Sequence, residues 1–291
     1  MAYFTLKNSS MEVTVSSCGG VLHEMKKDGV SYLWNGDPKV WGWRDHNLFP
    51  FVGRLPGGKY WVGGKEYSLP LHGFCIDREF ATEQQGENRV VCTLRANDET
   101  LAMYPFDFEF RVTYTLTGST LSKQVAVENK GETAMYFGLG FHPGFRVPLD
   151  QGDFSDWYVA FARECSPVRT FFHPETLLRL PGTEPFALED GRIMRLSHPL
   201  FAQEAIALHG AARSLTLGSE KSSRSVTVSY PDTPCITFWA SDKEDAPCLC
   251  IEPWHSLPAY HGKPAVFEEQ EDLICLAPGE IFKETIEITL N

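Results

Sequence analysis

Residues 107–128 constrain the fold more tightly than any other stretch of the chain. From Asp107 to Thr117, Phe108, Phe110, Val112, Tyr114 and Leu116 alternate with Asp107, Glu109, Arg111, Thr113 and Thr115. Side chains of a strand point to opposite faces with a period of two, so this pattern gives one buried and one wet face. Gly118-Ser119 turns the chain, and Thr120 to Glu128 returns with Leu121, Val125 and Val127 facing inward. Two such runs joined by a tight turn predict a long antiparallel hairpin. A hairpin with one apolar face needs a second layer to cover it.

The rest of the sequence supplies further strands. Met11–Val15, Val30–Trp34, Lys59–Val62, Trp157–Phe161, Ser214–Leu217, Ser225–Val228 and Cys235–Trp239 are short β candidates. Phe282 to Leu290 alternates again, with Phe282, Glu284, Ile286, Ile288 and Leu290 on one side. Lys27-Asp28-Gly29, Pro56-Gly57-Gly58 and Gly63-Gly64 punctuate the turns. Helices are confined to a short one capped by Asn97 over Asp98–Met103, and one or two turns within His198–Ala205. No repeat, low-complexity segment or Ser/Pro-rich linker divides the 291 residues. The expected fold is therefore all-β, a single large β-sandwich occupying residues 1–291 with only short helices.

Charge and cysteine usage narrow the function classes. A formal net charge of −12 and the lack of any Lys/Arg run disfavour nucleic acid and anionic membrane surfaces as partners. No apolar run approaches the ~18 residues of a membrane span. The first eight residues, Met1 to Asn8, lack the basic and apolar regions of a signal peptide. Eight cysteines without a leader point to a reducing, cytoplasmic setting. No Cys-x-x-Cys pair is present, and Cys248 and Cys250, two apart on one strand face, read as small core residues rather than metal ligands.

Four polar residues stand in apolar or glycine-rich surroundings. Arg54 ends the aromatic run Trp41–Leu55, and His72 precedes Gly73. In Phe137-Gly138-Leu139-Gly140-Phe141-His142-Pro143, read as a strand, His142 shares a face with two glycines. Such a bare face admits either a crowded sheet contact or a bound ligand. With Arg54, His72 and Glu252 available as partners, the ligand reading leads, and the two glycines are expected to leave room for it beside His142. Glu252 closes Cys248-Leu249-Cys250-Ile251-Glu252, a run with two apolar faces, and Pro253 is expected to end its ladder. A carboxylate so placed needs a partner or a ligand. Singly, each residue has a structural reading: a salt-bridged arginine, a turn histidine, a paired glutamate. Together they supply donors and an acceptor for hydroxyl groups, with aromatic faces for the C–H patches of a sugar ring. Asp77, Trp239 and Trp254 are further candidates for the lining.

Leu48-Phe49-Pro50-Phe51-Val52-Gly53-Arg54-Leu55, Leu71-His72-Gly73-Phe74, Gly140-Phe141-His142-Pro143-Gly144-Phe145 and Cys250-Ile251-Glu252-Pro253-Trp254 resemble four ordered motifs of the aldose 1-epimerase (galactose mutarotase) family. They are most similar to its LacX-like bacterial branch, over roughly residues 3–290. The resemblance implies a β-supersandwich, a small-molecule sugar as partner, no metal and no cofactor, in a monomer or homodimer. It also implies that His142 is the general acid and Glu252 the general base of anomer interconversion, with Arg54 and His72 binding sugar hydroxyls. A carboxylate beside His142 is expected to raise its pKa. Relatives of this branch often read His-Gly-Phe-Ala-Arg-Asp where this chain has His72-Gly73-Phe74-Cys75-Ile76-Asp77-Arg78. With Ile76 at the arginine position, a hexose-6-phosphate 1-epimerase is the secondary reading. A non-catalytic sugar-binding protein is a third. A two-carboxylate glycosidase, using Asp242 or Glu244 as the second acid, is a fourth.

Overall fold

The computed structural model describes residues 1–241, 243 and 246–291, and strands dominate it. The hairpin that anchors the sequence forms as expected. Phe108–Thr117 pairs with Thr120–Asn129 in unbroken antiparallel register from Phe108↔Asn129 to Thr117↔Thr120. It sits in a nine-stranded sheet, with Arg89–Arg95 beyond one strand and Ile281–Leu290 beyond the other. The Asp98–Met103 helix begins at an Asn97 cap whose side chain accepts the Thr100 N–H, and Thr100 Oγ1 in turn accepts the Asn97 N–H. Within His198–Ala205 only a single 3-10 turn forms, His198–Phe201. Of the expected strand Val30–Trp34, only Val30–Ser31 pairs continuously, with Leu33 bridging Phe145 further on.

A second sheet, of eight strands, covers the apolar face of the first. Its central members are Ile206–His209, Cys235–Trp239 and Cys248–Trp254, continued by Gly140–Phe141 and Asn47–Leu48. Phe238 of this sheet meets Phe161 of the other at 6.3 Å between rings. Phe49 packs on Phe108 and Phe110. Val112, Val125, Ile286, Ile236, Leu249 and Ile251 share the same core, all fully buried. This is the sandwich that the period-two pattern implied.

At its centre the eight-stranded sheet buries both faces. Along Cys248–Trp254 every residue is buried. Leu249 and Ile251 turn to the sandwich core, while Cys248 and Cys250 pack with Trp34 and Trp41 on the far side. Glu252 and Trp254 share that far side by alternation. Contrary to expectation, Pro253 does not end the ladder: it lies opposite Ile236, and Trp254 still pairs with Cys235 and Gly140. Ile251 and His255 donate N–H to the carbonyls of Pro143 and Leu139. Pro253, midway between them, faces the same edge and lacks an N–H only where the partner segment is interrupted.

That partner segment is Phe137–Pro143, and it is not one strand. It breaks into the end of Met135–Phe137, the two-residue Gly140–Phe141 and, beyond Pro143, Gly144–Arg146. Phe137, Leu139 and Phe141 are buried in the core as the alternation predicted. The glycine face differs from a ligand shelf. A Cβ on Gly138 would lie 2.4 Å from Ser256 Oγ, and one on Gly140 2.8 Å from Trp254 Cδ1 and 3.0 Å from Leu48 Cδ1. The expectation that these glycines leave room for a sugar ring beside His142 is therefore corrected: protein atoms fill the space, and both glycines serve a crowded contact. Gly140→Val is accordingly expected to cost about 1–3 kcal/mol through overpacking against Leu48 and Trp254, measured as a lower midpoint in urea denaturation. An unchanged midpoint would contradict this packing.

Candidate active site

On the far side of the eight-stranded sheet a cavity of about 530 Å³ opens to solvent, lined among others by Arg54, His72, His142, Trp239, Glu252 and Trp254. Monosaccharides and other small ligands occupy cavities of this size. All four polar residues singled out in the sequence converge here, although Arg54 and Glu252 are nearly 200 residues apart in the chain. Asp77 does not: its side chain is exposed and lies near Arg78, which also pairs with Glu99. The adjacent Ile76 lines the cavity instead.

Arg54 and His72 are held by one local device. Gly53 donates its N–H to His72 Nδ1 at 3.1 Å, and His72 returns its own N–H to the Gly53 carbonyl at 3.0 Å. His72 takes a positive φ of 63° to do so, and Gly73 follows at 77°. A Cβ on Gly73 would stand 2.1 Å from the Phe49 carbonyl oxygen, so only glycine fits this approach. His72 is thus a turn residue and a cavity residue at once. With Nδ1 accepting, the neutral ring carries its proton on Nε2, a donor for a ligand. Arg54 is exposed and has no ion-pair partner among the described residues, so its guanidinium is available at the cavity.

At the floor, His142 Nε2 lies 3.2 Å from Glu252 Oε2, with 9% and 1% of the side chains exposed. The Trp41 ring stacks on His142 at 5.1 Å, and Trp239 approaches its edge. His46 was not among the residues singled out. Its imidazole lies 5.4 Å from that of His142, its carbonyl accepts the His142 N–H, and it lines the cavity. Glu204, also unforeseen, accepts the Trp239 indole N–H at 3.3 Å on the opposite wall. The sequence clue for His46 was its place in an aromatic segment with no periodicity. Glu204 carried no comparable signal.

Behind the floor sits a fully buried ion pair, Lys123 Nζ to Asp45 Oδ2 at 2.7 Å. Asp45 also accepts the Leu22 N–H, so the pair fixes the residue next to His46.

Burial sets the protonation of this site. It drives the His142 pKa well below the ordinary imidazole value of 6.5, with His46 and His72 adding to the effect. This reverses the expected rise: the dry setting and two neighbouring imidazoles dominate, and Glu252, itself pushed toward its neutral form, supplies no compensating charge. His46 is pushed down by burial, then by His72. His72 falls to about 3, through burial and then Arg54. Glu252 moves well above its ordinary 4.5 because burial disfavours the carboxylate, an effect opposed by the Trp254 indole.

These shifts have a sign that can be measured. Between pH 6.5 and about 3 the unfolded chain holds a proton on His72 that the folded chain does not, so stability falls as pH falls through that window. His46 and His142 act in the same sense. Glu252 acts oppositely above 4.5, where the folded state keeps the proton longer. His72→Asn is expected to flatten the acid limb of a plot of Tm against pH. An acid limb of unchanged steepness would contradict a neutral buried His72.

Residues 3–289 match the family model described as aldose 1-epimerase. The chain belongs to the aldose 1-epimerase family. The chromosomal Protein LacX of Lactococcus lactis subsp. lactis is 33% identical, with 98% of each chain covered. Among solved structures, a galactose mutarotase-like protein from Lactobacillus casei ATCC 334 superposes with a TM-score of 0.94 at 28% identity, covering both chains completely. The galactose 1-epimerase from Lactobacillus acidophilus NCFM shares the fold, at a TM-score of 0.74 and 16% identity over 99% of this chain and 94% of that one. Among the described residues of this family member no helix is long and apolar enough to cross a membrane. Asp242 and Glu244, the second acids that a glycosidase would have needed, lie outside the described residues.

Proposed function

We propose that this family member interconverts the α and β anomers of a free hexose, with His142 as general acid and Glu252 as general base. The observation that carries the reading is the buried 3.2 Å His142–Glu252 pair at the floor of an aromatic cavity. Arg54 and His72 supply donors for sugar hydroxyls on its wall.

The reaction needs two proton movements. The His142 imidazolium gives a proton to the ring oxygen while the Glu252 carboxylate takes one from the C1 hydroxyl. The bond from C1 to the ring oxygen breaks and C1 becomes an aldehyde. Rotation about the C1–C2 bond presents the other carbonyl face. The C5 hydroxyl then attacks C1, His142 recovers its proton, and Glu252 returns its own to the new C1 hydroxyl. The pair is imidazolium and carboxylate before ring opening, neutral imidazole and carboxylic acid after it. Its total charge is zero throughout. Burial favours the second of these states, so the free site rests as imidazole and carboxylic acid. A proton passes from Glu252 to His142 across their 3.2 Å separation before the ring opens, and ring opening then returns the pair to its favoured state.

A free sugar suits the cavity better than a phosphorylated one. Ile76 stands where relatives often carry arginine, Glu204 adds a carboxylate to the wall, and the net charge is −12. Polarimetry on freshly dissolved α-glucose, α-galactose and their 6-phosphates tests this choice. The expected result is accelerated decay of optical rotation for the free sugars. A preference for the phosphates would overturn the substrate class, and release of an alcohol from an aryl glycoside would overturn the reaction.

A further inference from the structure

Cys250 takes no part in the proposed reaction and does not line the cavity, yet it is the third member of a cluster with the floor residues His142 and Glu252. It stands two residues before Glu252 on the strand Cys248–Trp254, so both side chains leave the same face. Ligand atoms of His142, Cys250 and Glu252 lie within 4.8 Å of one another, and all three residues are buried. Glu252 Oε2 makes no aligned hydrogen bond, although His142 Nε2 stands only 3.2 Å away. A buried carboxylate oxygen without an aligned partner is uncommon and calls for an explanation, of which a bound ion is one.

We propose that His142, Cys250 and Glu252 form an inhibitory binding site for a thiophilic divalent cation of the Zn²⁺ or Cd²⁺ class. One nitrogen, one sulfur and one carboxylate oxygen are the donor set of many tetrahedral sites for such ions, with the fourth position left open. Bonds of about 2.0–2.1 Å to nitrogen and oxygen place those two atoms about 3.3 Å apart around a tetrahedral ion. The His142–Glu252 separation is already 3.2 Å. Bringing the sulfur into bonding distance takes a movement of roughly 1 Å by the Cys250 side chain. His142 and Glu252 line the cavity, so a water or a sugar hydroxyl can complete the shell from that side. A hard cation such as Mg²⁺ prefers several oxygen ligands, and this cluster offers one carboxylate.

The charged surroundings permit a cation here. Lys123, the nearest buried positive charge, is neutralised by Asp45 at 2.7 Å. His46 and His72 flank the floor as imidazoles whose charging is disfavoured by burial. Arg54 is the one cationic side chain on the cavity wall, and it is exposed to solvent. Binding replaces protons on the ligands by the metal and occupies the lone pairs that His142 and Glu252 use for proton transfer. Inhibition therefore rests on the epimerase reading, whereas binding of the ion does not.

The test titrates the metal-free protein with Cd²⁺ and follows the ultraviolet thiolate-to-cadmium charge-transfer band, with anomer exchange measured in parallel. The expected result is a band that saturates at one equivalent, loss of anomer exchange, and recovery of exchange on adding EDTA. Mg²⁺ at the same concentration should do neither. Cys250→Ala should abolish the band and keep metal-free exchange while resisting Cd²⁺. Cys250→Ser, closer in volume, serves the same purpose if the alanine variant melts early. Glu252→Gln should weaken Cd²⁺ binding by at least ~10-fold, as loss of a directly bound group costs no less than loss of a supporting one. A band that survives Cys250→Ala would assign the metal to another of the eight cysteines, such as the exposed Cys275, and overturn the proposal. Metal-free exchange without any saturable band would overturn it too. A band lost in both variants, from a protein that exchanges no anomers, would leave the metal site standing and remove the epimerase reading.

Discussion

Glu252→Gln is expected to slow anomer interconversion by about 10²–10⁴-fold, the range typical of losing a positioned general base. The amide keeps the size of the carboxyl and its place on the strand, but it cannot accept a proton from the C1 hydroxyl. Sugar affinity, proposed to depend on Arg54, His72 and the aromatic walls, should change far less than the rate. His142→Ala should fall in the same range. Because the two residues act as a unit, the double variant should be little worse than either single one. Tenfold or smaller losses in both single variants, with sugar still bound, would mean that the proton transfers run through other groups. His46 would then be the first to examine, since its ring is 5.4 Å from that of His142.

Lys123→Met is expected to lower global stability by about 3–5 kcal/mol, because it strands the Asp45 carboxylate in the core. Both side chains of the pair have no exposed area, so solvent cannot screen or replace the lost partner. Asp45 also holds the Leu22 N–H and precedes His46 in the chain. Damage should therefore extend to the cavity floor as well as to the fold. Replacing both members by apolar residues of similar volume should recover much of the loss, since no charge is then left buried alone. Urea denaturation of the single and double variants measures both quantities. A single variant within about 1 kcal/mol of the parent would place the pair among exposed ion pairs in energetic terms, against its complete burial.

The strands were legible because alternation is a local signal: each strand of the hairpin 107–128, Trp157–Phe161 and Cys235–Trp239 can be read within ten or so residues. The four site residues were legible because a polar side chain in an apolar run has to be accounted for somewhere. What escaped the sequence depends on distant partners. Lys123 interrupts the inward face of the hairpin, but its partner Asp45 lies 78 residues away. The glycines at 138 and 140 announce missing side chains without saying what fills the space, and the answer, Ser256 and Trp254, comes from another strand. The direction of the His142 shift was misjudged for the same reason. A carboxylate nearby could be inferred, whereas the burial that pushes it toward its neutral form and the two extra imidazoles are properties of the assembled floor.

Exchange NMR on equilibrated glucose and galactose tests the account most directly, since it reports interconversion of the two anomers with no coupled enzyme. The account predicts protein-dependent exchange between the α and β C1–H signals of at least one free hexose, reduced to the buffer rate by Glu252→Gln and by His142→Ala. Exchange no faster than buffer across free aldohexoses that nevertheless bind in the cavity would contradict it, and would make the protein a carbohydrate-binding member of its family.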